Sequence, residues 1–179
     1  RDRQYNGYKV YGEDGAQMAP DNADRLFAYA QKVTDIFAVK AAPVKELRAN
    51  GTLQLIGEDV DEDYLNELKQ VTVDPEMVKA NADKLKIIYT PLHGTGKMLY
   101  DRAFRQGGFD NVIPVPSQSI IDPEFPTTIK PNPEYRDVFE PGFKLANKVN
   151  ANVIIATDPD ADRMGAAVRK TDGDFQVLT

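Results

Sequence analysis

The sequence predicts an α/β fold in which a mixed, largely parallel sheet is covered by helices on both faces, preceded by part of a similar domain. Two continuous apolar runs carry this prediction, LKIIYT at 85–90 and NVIIAT at 152–157. Strands that are buried on both faces read as β-branched runs without alternation. Helical patterns separate the runs, which implies parallel strands joined by crossovers. We place the domain boundary between predicted domains 1–72 and 73–179.

The elements of the first segment follow from turn and helix signals. YNGYKVYGEDGAQM at 5–18 alternates short apolar pieces with Asn-Gly and Asp-Gly turns, which predicts a strand and a loop. PDNADRLFAYAQKVTDIF at 20–37 has apolar residues at helical spacing and acidic residues in its first turn, which predicts a helix. LQLIG at 53–57 predicts a strand, and DEDYLNELKQV at 61–71 predicts a second helix.

The second segment alternates strands and helices. Asp74 before Pro75 is a pattern typical of a capped helix start. The predicted elements that follow are, in order, a strand at 85–90, a helix near Lys97–Gln106, the strand NVIPV at 111–115, a helix near Phe139–Val149, the strand at 152–157 and a terminal hairpin of MGAAV and FQVLT. The hairpin is indicated by the Thr-Asp-Gly-Asp turn between its two runs.

Composition restricts the functional classes. The chain has 179 residues, 41% hydrophobic and 28% charged, which is typical of a folded globular protein. It contains no cysteine, so it has neither a disulfide framework nor a thiolate metal site. The formal net charge of −6 disfavours nucleic-acid binding, and no apolar run reaches the roughly 18 residues that a membrane span needs. We therefore expect no nucleic-acid or membrane partner, and a cytoplasmic location.

Three carboxylates alternate directly after the second apolar run, in ATDPDADRMG at 156–165. Asp158, Asp160 and Asp162 can turn their oxygens toward one hard cation such as Mg²⁺, and without a cation they would repel one another. Ligands of open α/β sheets bind at the carboxyl ends of strands, where this loop lies. A Mg²⁺ site is the prediction. A solvated acidic turn is the alternative, and an EF-hand calcium loop would need glycine and glutamate where this sequence has arginines.

A second pattern, YTPLHGTGK at 89–97, places small residues between a strand and a helix. Gly94 and Gly96 either aim backbone N–H groups at an anion or simply allow a tight turn. His93 is the only histidine, and it is either a hydrogen-bonded structural residue or an active-site contact. The proline-rich stretch at 116–136 is too long for a plain connection, so we expect a functional loop or a packed irregular one.

Together these segments resemble the α-D-phosphohexomutases, the family of phosphoglucomutase and phosphomannomutase, and most closely the branch of bacterial phosphoglucomutases and phosphopentomutases. The resemblance implies an isomerase that interconverts hexose 1-phosphate and 6-phosphate through a phosphoserine and a bisphosphorylated sugar intermediate. It identifies the two predicted segments as the C-terminal part of domain I and as domain II. The matching motifs are YNGYKVYGEDGAQM at 5–18, TPLHGTG at 90–96, DPEFPT with PNPE at 122–134 and ATDPDADRMG at 156–165.

The resemblance also implies roles for residues. Asp158, Asp160 and Asp162 would ligate Mg²⁺ together with the phosphoserine, and Arg163 would contact that phosphate or the substrate phosphate. The partners would be a phosphosugar substrate and its bisphosphorylated intermediate. The phosphoserine motif of the family, Thr-Ala-Ser-His-Asn-Pro, lies upstream of the segment that resembles 5–18, and the sugar-selecting domain lies downstream. We therefore expect the chain alone to bind metal weakly and to be inactive.

Two other functions fit parts of the pattern. A haloacid-dehalogenase-like phosphatase also uses an apolar strand followed by Asp-x-Asp, with Asp158 as nucleophile and Asp160 as general acid. Asp162 opposes this interpretation because that family has Thr or Val at the position. A non-catalytic module that binds a divalent cation or a phosphosugar is the second alternative.

Overall fold

The computed structural model describes residues 8–178, which fall into two compact units that meet in sequence at Gly57. The first unit ends at Ile56, and the second runs from Gly57 onward. The domain boundary that the sequence places between residues 72 and 73 stays a prediction. No helix in this described range is long and apolar enough to cross a bilayer.

The first unit contains two α-helices in its described residues, α1 at Pro20–Ala30 and α2 at Val44–Ala49. The predicted helix continued to residue 37, and that extension is wrong. The Asp35 carboxylate accepts a hydrogen bond from Phe37 N at 2.9 Å and opens a separate 3-10 helix. Short polar side chains that bond to nearby backbone groups compete with helix continuation. The second helix, α2, was not predicted.

The remainder of this unit is irregular. An isolated antiparallel bridge joins Tyr11 to Gln17, within the predicted strand-and-loop segment. The Asn-Gly turn at residues 6–7 lies outside the described residues. The strand predicted at 53–57 is wrong, because Leu53 N donates instead to Leu47 O at the end of α2. A strand forms only where a neighbouring strand takes up its backbone donors and acceptors.

The second unit is an α/β domain, as predicted. Its helices are α3 at Glu58–Leu68, α4 at Pro75–Asn81, α5 at Tyr100–Gln106 and α6 at Glu140–Val149. Its strands are β1 at Ile87–Thr90, β2 at Val112–Pro114, β3 at Val153–Thr157, β4 at Met164–Arg169 and β5 at Phe175–Leu178. The predicted Asp74 cap is confirmed, since its carboxylate accepts from Met77 N at 2.8 Å. All five strands were predicted to within about two residues at each end, the usual uncertainty of such boundaries.

The five strands form one mixed sheet in the order β2-β1-β3-β4-β5. β1 is parallel to both β2 and β3, whereas β4 is antiparallel to β3 and β5. Within the described sheet only β4 therefore runs against the other strands. The predicted mixed, largely parallel sheet is confirmed.

Helices cover both faces of the sheet. Ile88 of β1 lies beside Ile154 of β3 in register, and a Cβ added to Gly142 of α6 would lie 3.1 Å from Ile154 Cγ2. The next residue along β1 points to the opposite face, where the Tyr89 ring stacks on Tyr100 of α5 at 4.7 Å between centroids. Strand alternation therefore places α6 on one face and α5 on the other.

The same register brings two loops to one edge of the sheet. β1 and β3 are parallel, so their carboxyl ends, Thr90 and Thr157, lie at the same edge. The loop at 91–97 leaves from the first strand and the loop at 158–163 from the second. Residues far apart in sequence, the PLHGTG motif and the three aspartates, therefore lie next to each other.

Candidate metal centre

The loop between β3 and β4, residues 158–163, is closed by its first aspartate. Asp158 Oδ1 accepts a hydrogen bond from Arg163 N at 3.0 Å, and Asp158 N donates to Arg163 O at 3.3 Å. Ala161 N donates to Asp158 O at 3.0 Å, and Ala161 adopts a left-handed φ of 60°. Asp158 thus closes the loop through both its side chain and its backbone.

The three aspartates converge as the sequence predicts. One carboxylate oxygen from each of Asp158, Asp160 and Asp162 lies within 4.8 Å of the others. Asp158 is buried, and the other two are exposed. Burial raises the pKa of Asp158 to about 6; hydrogen bonding to Asp160 and the charges of Asp160 and Asp162 add to the rise, and the Arg163 N–H opposes it. This cluster of hard oxygen donors suits Mg²⁺, which would relieve the repulsion.

Arg163 lies beside this triad. Its Nε is 3.9 Å from Asp162 Oδ1, and its side chain is about half exposed. Together with Pro133, Glu134 and Met164 it lines an open cleft of about 560 Å³. The predicted contact between Arg163 and a phosphate stays a prediction, and the cleft gives such a contact room.

The PLHGTG loop packs directly against the aspartate loop. Thr95 donates twice to Pro159 O, from its backbone N at 2.8 Å and from its hydroxyl at 3.1 Å. A Cβ on Gly94 would lie 2.2 Å from Pro159 Cα, and a Cβ on Gly96 would lie 2.3 Å from the Tyr89 hydroxyl. Both glycines therefore permit a close approach between parts of the chain, which favours the tight-packing alternative over the anion-binding one.

The backbone donors of this loop support the same conclusion. The backbone N of His93 donates to Gln118 O, and that of Gly94 donates to Pro91 O. The backbone N of Thr95 donates to Pro159 O, and that of Lys97 donates to Gly94 O. An anion would have to displace these partners. The sequence did not single out Thr95 as a site residue, because its partner lies 64 positions further along the chain.

His93 belongs to this loop and is buried, with 2% of its surface exposed. Its Nδ1 lies 2.9 Å from Ile120 O, and its Nε2 lies 2.8 Å from Thr127 Oγ1. Both ring nitrogens thus contact the 116–136 stretch, which packs as an irregular loop. The predicted active-site contact of His93 stays a prediction, and the contacts seen are those of a structural residue.

Comparisons with known proteins agree with this geometry. A family profile described as phosphoglucomutase/phosphomannomutase, alpha/beta/alpha domain II, matches residues 62–173. The chain is 36% identical over 171 residues to a phosphoglucomutase of Staphylococcus haemolyticus, covering 96% of this chain and 30% of that protein. It is 35% identical over 182 aligned positions to human glucose 1,6-bisphosphate synthase, covering 97% of this chain and 28% of that protein. A phosphomannomutase of Mycoplasmoides pirum is 34% identical over 167 residues, and the match covers 92% of this chain and 29% of that protein.

The chain spans less than a third of the length of these relatives. The profile match covers strands β1 to β4 and includes the aspartate loop, whereas β5 lies beyond its end. It favours the phosphoglucomutase/phosphomannomutase family over the haloacid-dehalogenase-like alternative. The chain belongs to the phosphoglucomutase/phosphomannomutase family and contains the α/β/α domain II of that family.

Proposed function

We propose that this chain supplies domain II, and with it the Mg²⁺ loop, of a sugar-phosphate mutase that interconverts hexose 1-phosphate and 6-phosphate through a phosphoserine and a bisphosphorylated intermediate. One observation carries the proposal: oxygens of Asp158, Asp160 and Asp162 converge within 4.8 Å at the carboxyl end of β3. Residues 1–72 would be the C-terminal part of domain I. The sequence lacks a Thr-Ala-Ser-His-Asn-Pro motif, so we expect no turnover by the chain alone.

Each site residue has a distinct task in this proposal. The three aspartates would hold Mg²⁺, which neutralises charge on phosphoryl oxygens when it is bound. Asp158 also keeps the loop closed through the Arg163 N–H. The Arg163 guanidinium offers a planar fork of donors to a phosphate in the cleft that it lines with Glu134.

Calorimetric titration of Mg²⁺ into the chain tests this function. We expect one ion to bind per chain, and to bind more tightly in the presence of a Thr-Ala-phosphoSer-His-Asn-Pro peptide. The phosphate adds a further oxygen ligand to a site that three carboxylates leave incomplete, since Mg²⁺ takes about six ligands. The unphosphorylated peptide is the control. Equal affinity with both peptides would contradict the mutase role and leave a generic cation-binding loop.

We further expect Mg²⁺ affinity to depend on pH. The pKa of Asp158 is raised to about 6 in the metal-free fold, so below pH 6 this carboxyl carries a proton that Mg²⁺ must displace. The affinity should be constant above pH 7 and fall by about tenfold per pH unit below pH 6, as for one competing proton. Calorimetric titrations between pH 5 and 8 measure this dependence of Mg²⁺ affinity on pH.

The raised pKa of Asp158 also predicts how the stability of the metal-free chain changes with pH. The folded pKa, about 6, lies above the usual 3.8, so the folded state binds more protons between these values. The contribution of Asp158 to stability is therefore fully present below pH 3.8 and is lost as pH rises through 6. The control is Asp158→Asn, which does not titrate. A stability difference from this variant that is constant across the window would contradict the shifted pKa.

A further inference from the structure

His93 is the centre of a buried set of hydrogen bonds that joins two loops. Besides its ring contacts to Ile120 and Thr127, its backbone N donates to Gln118 O at 2.9 Å. Its backbone carbonyl accepts from Asp122 N at 3.2 Å. Four hydrogen bonds from one residue therefore fix the PLHGTG loop to the proline-rich stretch. His93 itself has a left-handed φ of 66°, a conformation that the surrounding contacts must maintain.

The donors and acceptors of this network are consistent with one another. A carbonyl oxygen only accepts, so His93 Nδ1 donates to Ile120 O; in a neutral ring Nε2 then accepts from the Thr127 hydroxyl. Thr127 Oγ1 accepts in turn from Gln118 Nε2 at 3.2 Å, and that amide also donates to Val138 O at 3.0 Å. Gln118 is fully buried. Gln118 Oε1 has no hydrogen-bond partner among the described residues, whereas the side-chain donors of the network are paired. Paired polar groups in a buried setting hold one another in place.

The two residues that follow His93 connect this network to the aspartate loop. Gly94 follows His93 and lies against Pro159, and Thr95 donates twice to the Pro159 carbonyl. Pro159 stands between the first and second aspartates of the triad. On the other side of the loop, a Cβ on Gly165 would lie 2.5 Å from Pro133 O, so the proline-rich stretch also packs where β4 begins.

We propose that His93 and Thr95 are positioning residues for the metal loop: Thr95 holds the Pro159 carbonyl between two metal ligands, and His93 holds Thr95 in place from the buried side. This inference rests on the proposed Mg²⁺ role of the three aspartates. Neither residue needs to touch metal or substrate. Mg²⁺ demands near-ideal octahedral geometry, so a small displacement of the ligand loop weakens its binding.

Binding of Mn²⁺ to the 179-residue chain tests the proposal, with free Mn²⁺ measured by electron paramagnetic resonance. We expect Thr95→Val, which keeps the shape but loses the hydroxyl donor, to weaken Mn²⁺ binding about tenfold, as for groups that orient metal ligands. Thr95→Ser restores the hydroxyl and should bind like the original chain. His93→Ala should weaken binding by up to about 100-fold.

A control separates positioning from general destabilisation. Phe143 stacks on Phe175 at 5.3 Å between ring centroids, and it belongs to α6, on the sheet face opposite α5. Phe143→Leu should lower the melting temperature and leave Mn²⁺ affinity unchanged. Melting curves of every variant identify any that fails to fold, and Thr95→Val keeps the test decisive if His93→Ala does so.

The outcomes distinguish this inference from the function on which it rests. If Thr95→Val and His93→Ala both bind Mn²⁺ as tightly as the original chain, the positioning role is wrong, and the proposed metal site is not affected by that result. An equal loss in Phe143→Leu would also overturn the positioning role. If the original chain binds Mn²⁺ no better than the variant with asparagine at all three aspartates, the metal site itself is wrong and the positioning role fails with it.

Discussion

We expect the joint replacement of Asp158, Asp160 and Asp162 by asparagine to abolish Mg²⁺ binding. The loss of Mg²⁺ affinity should exceed the roughly 100-fold loss that follows the removal of groups that orient metal ligands. The amide keeps the size of each side chain but lacks the negative charge that attracts the cation. All three oxygens converge within 4.8 Å, so no single residue carries the site alone. Calorimetry and Mn²⁺ resonance measure the loss independently.

The same variant should be more stable than the original chain when a chelator removes metal. Converging carboxylates repel one another, and the raised pKa of Asp158 shows that its charged form is disfavoured in the fold. Mg²⁺ should reverse the order, since a ligand at about 100 times its Kd stabilises by about 2.7 kcal/mol. Thermal melts with chelator and with Mg²⁺ therefore give opposite rankings.

A matched control removes the same charge elsewhere. Asp24, Asp63 and Asp83 are exposed, and their joint replacement by asparagine changes the net charge by the same amount. This control should keep the Mg²⁺ response of the original chain. A triple variant at the candidate site that still gains stability from Mg²⁺ would contradict the assignment of the three aspartates.

The convergence of the three aspartates was predictable from sequence because its determinants are local. A buried strand ends at Thr157, and three alternating carboxylates follow within five positions, which places them at the carboxyl edge of the sheet. The sheet itself was predictable for a similar reason, since runs such as 85–90 and 152–157 are strands only if both faces are covered. Here composition and position along the chain were sufficient.

The remaining features depend on partners distant in sequence. Local spacing could not distinguish an anion-binding turn from close packing at Gly94, because the atoms that it meets belong to Pro159. His93 posed the same problem, since Thr127 lies 34 positions away. The strand wrongly predicted at 53–57 is the converse case, in which an apolar run has no neighbouring strand in the described residues.

Gly94→Ala should be the most damaging single substitution in the PLHGTG loop. Its added Cβ would lie 2.2 Å from Pro159 Cα and 2.3 Å from Pro159 O, and these backbone atoms cannot rotate away as a side chain can. The backbone at Gly94 has a φ of −104°, which alanine adopts readily, so the cost arises from the contact alone. Overpacking of this kind costs about 1–3 kcal/mol, and urea unfolding measures it.

The clash should also act on the candidate metal site, because Pro159 can yield only by moving the loop that carries the aspartates. We therefore expect Gly94→Ala to lower Mn²⁺ affinity as well as stability. Gly107→Ala is the control: its Cβ would lie 3.4 Å from the nearest atoms at a φ of −73°, so the change should stabilise by about 0.4–1 kcal/mol. Unchanged Mn²⁺ affinity in Gly94→Ala would contradict the coupling, because the aspartates would then keep their geometry while Pro159 moves.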